Sequence, residues 1–352
     1  MIARMAIRDD SDSSCAVLNS LLAWAVLVKY GNPKHATKFV ATALSSLKVS
    51  MRNGIGRQEA LQHIIAGILI CSLEMHLFSQ SSPVWLLYLS GTKNIINQFY
   101  QDNATEDTDQ TLLFQWVFYF DTLARLGMRH WNGRQSLGLQ LSKGLGLEKG
   151  IPQFTFHEIT KHGRRTNKIM ELFSEFCYNV LSPDDPRYFS VEYISWLGNI
   201  ENQLISIREQ LQQRVTLPDF NGESESFAVR ELFVLAILVY FTKKSTKLIG
   251  SSSKTNEWIE SAFQILSEIE HCNKPFPLFI FGLEARTDNK RVLILDLIDC
   301  TAEKFNGRGL VSVRKLLVKS WVQYDLNAGD YLRQGRDMCS FLSICNFVPC
   351  LI

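Results

Sequence analysis

The sequence predicts an all-α protein: a single large domain of about a dozen helices with no significant sheet. Three observations carry this reading. Apolar residues recur at helical spacing along most of the chain, two segments are apolar nearly all round, and period-2 alternation is missing. With 352 residues and 46% hydrophobic side chains there is material for a large buried core, which excludes a disordered, solvating chain.

The elements justify themselves in order. Segment 64–77 is apolar on every side, as a central buried helix is. Ser82 is a candidate N-cap and Pro83 suits a first turn, where its missing N–H is not needed. The stripe Trp85, Leu89, Thr92, Ile96 and Phe99 follows at i, i+4, i+7, i+11 and i+14. Stretches 101–110, 182–187 and 216–226 read as loops, and 232–241 as a second central helix. Trp258, Ile259, Ala262, Phe263, Leu266 and Ile269 form one apolar face, and Val313, Leu317, Trp321 and Tyr324 another. Asn53-Gly54, Asn132-Gly133, Asn221-Gly222 and Asn306-Gly307 lack alternating flanks, so they read as helix ends rather than hairpins. The expected organisation is a disordered N-terminal tail at 1–14, a helical domain at 15–326, and a C-terminal tail at 327–352 whose structure the sequence leaves open.

Charge and cysteine usage bound the function. Thirty-seven Lys and Arg nearly balance 35 Asp and Glu, a net +2 far below that of a self-sufficient DNA-binding domain. Eight scattered cysteines, several in apolar runs, read as core thiols of an intracellular protein. The longest wholly apolar run, 232–241, is about half a membrane span, so no membrane partner is expected.

Candidate chemistry is sparse. Ser-x-x-Lys occurs at Ser45, Ser251 and Ser312 without partner motifs. Gly144, Gly146 and Gly150 depart from dinucleotide-loop spacing and follow no predicted strand. His157 and His162 stand at i, i+5 and diverge by about 140° on a helix, so they do not share a metal. Cys339, Cys345 and Cys350 lack a C-x2-C spacing. Glu74 and Asp121 stand among apolar neighbours, and Arg125 lies one turn beyond Asp121. They read either as buried structural carboxylates that lock helices in register or as an acid/base pair. Lys161, Arg164, Arg165 and Lys168 form the densest basic stretch, either an import signal or phosphate contact, or a solvated turn into the next helix.

Five segments in order resemble the fungal-specific transcription factor domain, the regulatory part of binuclear zinc-cluster transcription factors. They are Leu61 to Glu74 followed by Trp85 to Ile96; Val117 to Asp121; Glu231 to Phe241; Pro275 to Ala285 with Arg291; and Trp321 to Asp325. Phe276 stands where the family usually has Trp. The resemblance, over about residues 15–326, implies an all-helical regulatory domain in the nucleus, working with the transcription machinery or a partner transcription factor, or as a homodimer. It implies no catalytic residues. The family's six-cysteine cluster has no counterpart in these residues, so zinc is expected only with an upstream cluster, and no residue here is assigned to metal, cofactor or sequence-specific DNA. The alternative is a helical small-molecule sensor or enzyme, whose 22 Phe, 10 Tyr and 7 Trp would line an apolar pocket.

Overall fold

The computed structural model describes residues 1–77, 84–100, 108–130, 168–181, 184–215, 224–249, 252–305 and 308–326. These hold thirteen α-helices and, among the described residues, no strand. In chain order they are α1 (Ile2–Ala6), α2 (Asp12–Tyr30), α3 (Pro33–Arg52), α4 (Arg57–Leu77), α5 (Val84–Tyr100), α6 (Thr108–His130), α7 (Lys168–Asn179), α8 (Val191–Val215), α9 (Ser224–Ile249), α10 (Ser252–Glu268), α11 (Pro275–Glu284), α12 (Asp288–Phe305) and α13 (Arg308–Leu326).

The helices gather into two compact units where the sequence reading has one. The first takes the described residues up to Ala124 and the second those from Arg125 on, so the division falls inside α6. Composition is even across this point and offers no linker to read.

In the first unit α4 is the central element. From Ala60 to Met75 nearly every side chain is buried, and α1, α2, α3 and α5 all pack against it. Helices α2 and α3 form a hairpin whose small residues Ala23, Ala36 and Ala43 let the backbones approach, with Leu27, Val40, Ile70 and Leu73 filling the layer. Their starts are capped locally. The Ser11 side chain accepts from the Ser14 N–H, and that of Asn32 from the His35 N–H. After α3 the chain turns at Gly54, whose φ of 81° is the left-handed conformation expected of an Asn-Gly helix end. The other three Asn-Gly pairs lie outside the described residues.

Residues 1–14 are not a disordered tail. Met5 and Ala6 of α1 are buried, as are Ser13 and Ser14 at the start of α2. Gln62 of α4 explains this order: it accepts from Ser13 Oγ at 2.5 Å and donates to Ser14 Oγ at 2.6 Å and to the Met5 carbonyl at 3.3 Å. A polar triad of this kind has no hydropathy signature. The loop read at 101–110 is likewise shorter, because α6 already begins at Thr108.

In the second unit α9 is central. Residues 231–242 are all buried, with α7, α8, α10 and α11 packed around them. Aromatic rings fill this core against one another. Phe173 lies 5.0 Å from Phe276, Phe176 4.8 Å from Phe241, and Phe233 5.4 Å from Phe276, centroid to centroid. In helix α2, Ser13 to Val28 carries no charge. The helix is long and apolar enough to cross a membrane by length and composition alone. One face packs into the first unit while Leu18, Leu22 and Val28 are exposed.

Leu238, at the middle of α9, has no exposed surface. Leu238→Ala should therefore lower unfolding free energy by about 2–5 kcal/mol in urea melts. Leu18→Ala, on the open face of α2, should change it by less than about 0.5 kcal/mol.

Candidate functional site

Two of the resembling segments, Pro275 to Ala285 with Arg291 and Trp321 to Asp325, meet at the C-terminal end of α11. This ten-residue helix is apolar from Pro275 to Leu283, and its side chains are almost all buried. Pro275 and Pro277 occupy its first turn, where a missing N–H costs no hydrogen bond. At Ala285 the backbone leaves the helix, at φ −70° and ψ 93°. The last turn thus presents carbonyl groups that need partners.

Three other helices supply those partners. The Gly282 carbonyl accepts from the Ala285 N–H at 3.2 Å and from the Trp321 indole N–H of α13 at 2.9 Å. The Ala285 carbonyl accepts from Arg291 Nε of α12 at 3.3 Å. The same guanidinium donates through both terminal nitrogens to Asp325 of α13, at 2.9 Å each, and its centre lies 5.5 Å from the Trp321 ring centroid. Lys243 of α9 pairs with Glu284. Gly282 is required by close approach, because a Cβ there would run into the Leu317 side chain. The Arg291 hydrogen bonds hold the Asp325 carboxyl below its ordinary range and raise the Arg291 guanidinium.

A second fastening joins α8 to α9. Glu231 accepts from Arg208 Nε at 3.0 Å and Gln212 Nε2 at 2.6 Å. On α7 and α8, Trp196 donates to Glu175 at 2.8 Å, and the Tyr193 hydroxyl accepts from the Leu181 N–H at 2.9 Å. Phe276, the position where the family usually has Trp, has no exposed surface and packs on Phe173 and Phe233.

The two singled-out carboxylates belong to the first unit, and the structure treats them differently. Asp121 of α6 is buried, and Lys93 of α5, also buried, reaches it at 2.5 Å. Lys93 was not foreseen as the partner because it lies 28 residues away and on another helix. The Arg125 guanidinium, one turn on, sits 5.7 Å from the Tyr178 ring centroid. Glu74 is half-buried rather than buried, and desolvation raises its carboxyl above the ordinary range. Its charge in turn adds to the burial that pushes the nearby Tyr88 hydroxyl up.

Of the basic stretch, Lys161, Arg164 and Arg165 lie outside the described residues. Lys168 opens α7, 3.6 Å from Glu171 one turn on. Cys71, Cys177 and Cys272 are buried and Cys15 and Cys300 exposed, whereas Cys339, Cys345 and Cys350, like His157 and His162, fall outside the described residues. No group of three or more metal-ligating side chains occurs among the described residues. Glu201, buried in α8 with its Oε1 lacking a hydrogen-bond partner, was missed by sequence reading and carries no motif. The Trp321, Arg291 and Lys243 contacts in the α11 arrangement each hold one helix to another.

Two measurements test these assignments. Asp121→Ala strands Lys93 in the core and should cost about 3–5 kcal/mol, while replacing both residues by Leu and Met should recover most of that loss. Glu74 has the opposite sign. Its folded-state pKa lies above the unfolded one, so its contribution is present at low pH and is lost as pH rises through the raised value. Glu74→Gln should match the wild type near about pH 4 and exceed its denaturation midpoint near about pH 7.

Comparison with known proteins places these features in a family. The model of the fungal specific transcription factor domain matches residues 1–341. "Transcription factor iacI" of Pestalotiopsis fici is 28% identical over 358 residues, covering 100% of this chain and 88% of that protein. No solved structure matches. The match begins at residue 1, in keeping with the buried first helix and not with a tail. A family model spanning nearly the whole chain, over helices fastened at the very segments that resemble it, settles the assignment: the chain belongs to the fungal-specific transcription factor domain family and is a transcription regulator.

Proposed function

We propose that this chain is a regulatory domain that acts in the nucleus through protein contacts, on the transcription machinery or a partner transcription factor, with no chemistry of its own. The observation that supports this most is the fate of the resembling residues at the end of α11. Trp321, Arg291, Asp325, Gly282 and Glu284 are committed to joining α9, α11, α12 and α13 rather than arranged around a reacting group. Aromatic residues that would have lined a sensor pocket are in ring-to-ring contact within the core, for example Phe173 with Phe233 at 6.2 Å and Tyr193 with Trp196 at 5.6 Å.

On this reading zinc and sequence-specific DNA recognition belong to another module. The eight cysteines of the sequence include no C-x2-C pair that would hold a tetrahedral thiolate site, with sulfur ligands about 2.3 Å from the metal. The relative's printed name supports the regulatory half of the proposal and adds no target.

Fusing the chain to an unrelated DNA-binding domain and measuring a reporter with matching sites tests the proposal. Transcription should rise or fall severalfold relative to the DNA-binding domain alone. Gly282→Ala, which forces α11 away from α13, should lose that effect together with the cooperative unfolding transition. No change in reporter output from the well-folded fusion overturns the proposal. Metal analysis of the purified chain should find no stoichiometric zinc, and about two zinc per chain would refute its second half.

A further inference from the structure

Helix α3 carries an electrostatic feature that the regulatory reading does not use. Between Pro33 and Arg52 it has no acidic residue. Lys34, Lys38, Lys48 and Arg52, with Ala41 and Ser45 between them, stand at i, i+4, i+14, i+18, i+7 and i+11, which is one face of a helix. All six positions are exposed, opposite the buried face made by Ala36, Val40, Ala43 and Ser50. The stripe is about 27 Å long at 1.5 Å per residue.

The four cations are unpaired among the described residues. The helices packed against α3 are α2 and α4. Their acidic residues are Asp12 at the start of α2, Glu59, whose Oε2 accepts from the Gly56 N–H at 3.0 Å, and the half-buried Glu74; none of them forms an ion pair with the stripe. The hydroxyls of Thr37 and Thr42 bond back to the carbonyls one turn earlier, at 2.9 and 3.2 Å. The face therefore offers charge and little else. The exposed apolar residues of α3, Val49 and Met51, flank the stripe and do not lie on it.

We infer that this face of α3 docks the phosphate backbone of duplex nucleic acid, without reading its sequence. Duplex DNA presents one negative charge per about 1.7 Å of axis, so a straight stripe of cations meets phosphates wherever it lies along the groove edge. An acidic protein partner is the weaker fit, because such docking relies on a large apolar or aromatic anchor at the centre of the contact, where this stripe has Ala41 and Ser45. A face of four cations gives backbone positioning and no base readout, consistent with recognition of a specific site by another module. The inference stands independently of the proposed regulatory role.

Salt dependence is the signature to measure. Four phosphate contacts imply a slope of log affinity against log salt of about −3.6, so affinity for a random-sequence duplex should fall roughly 150-fold between about 50 and 200 mM salt. Fluorescence anisotropy on the full chain reads this directly. The variant carrying Lys34→Gln, Lys38→Gln, Lys48→Gln and Arg52→Gln should lose most of the binding at low salt and nearly all of the slope. Single replacements should each reduce the slope by about one. A control replacing the exposed Lys254, Arg286, Lys315 and Lys319 by Gln should keep both, and circular dichroism confirms that each variant is folded. The inference is overturned if the wild type fails to bind the duplex at low salt, or if the α3 variant keeps the wild-type slope. Binding of a polyglutamate peptide in place of the duplex, lost in the α3 variant, would overturn it in favour of an acidic protein partner. Reporter output in the tethered assay does not depend on any of these outcomes.

Discussion

A helix that is apolar on its whole circumference is stable in water only when neighbours cover every side. Both units obey this constraint. Leu232 to Phe241 of α9 is wholly buried under α7, α8, α10 and α11, and Ala60 to Met75 of α4 nearly so under α1, α2, α3 and α5. Each central helix thus dictates a shell of amphipathic ones. The shell helices need only one apolar face each, such as Trp258, Ile259, Ala262, Phe263 and Leu266 on α10, all of which are buried.

The same constraint explains where the polar contacts lie. Apolar packing restricts crossing angles but specifies the rotation and height of neighbouring helices only loosely, since many apolar pairs fit about equally well. Directional bonds at the margins of the buried stretch break that degeneracy. For α9 these are Glu231 to Arg208 and Gln212 at one margin and Lys243 to Glu284 at the other. For α4 they are Gln62 to Ser13 and Ser14, and His63 to Ser50 at 2.8 Å. Burial pushes the His63 pKa below its ordinary value, against the charge of Glu59.

Those two kinds of interaction differ in how far sequence reveals them. Periodicity is local, so the central helices, the stripes of α5, α10 and α13 and the left-handed turn at Gly54 were all legible. Pairing across helices is not. Spacing points to Arg125 as a partner for Asp121, but it gives no sign of Lys93, 28 residues away on another helix, which also holds it. The buried start of the chain depended on Gln62, a residue with no motif. The Arg291–Asp325–Trp321 cluster was legible only as separate family segments, and nothing in their spacing indicated that one guanidinium would join them. The division inside α6 left no trace either, because a continuous helix has no change of composition at that point.

Two consequences for function follow from how the polar groups are distributed. Groups within the shell are consumed by register, so a change in one of them alters the scaffold before it alters any partner. The four α3 cations carry no such duty, since α3 meets the first unit through Ala36, Val40, Ala43 and Ser50 on its opposite face. Exposed cations of this kind cost little to keep, and each replacement should disturb stability by no more than about 0.5 kcal/mol. Charge on that face is therefore separable from the fold. Any effect of removing it on nucleic-acid affinity or transcription reports on contacts outside the molecule, whereas effects at Gly282, Arg291 or Asp121 report first on how the helices hold one another.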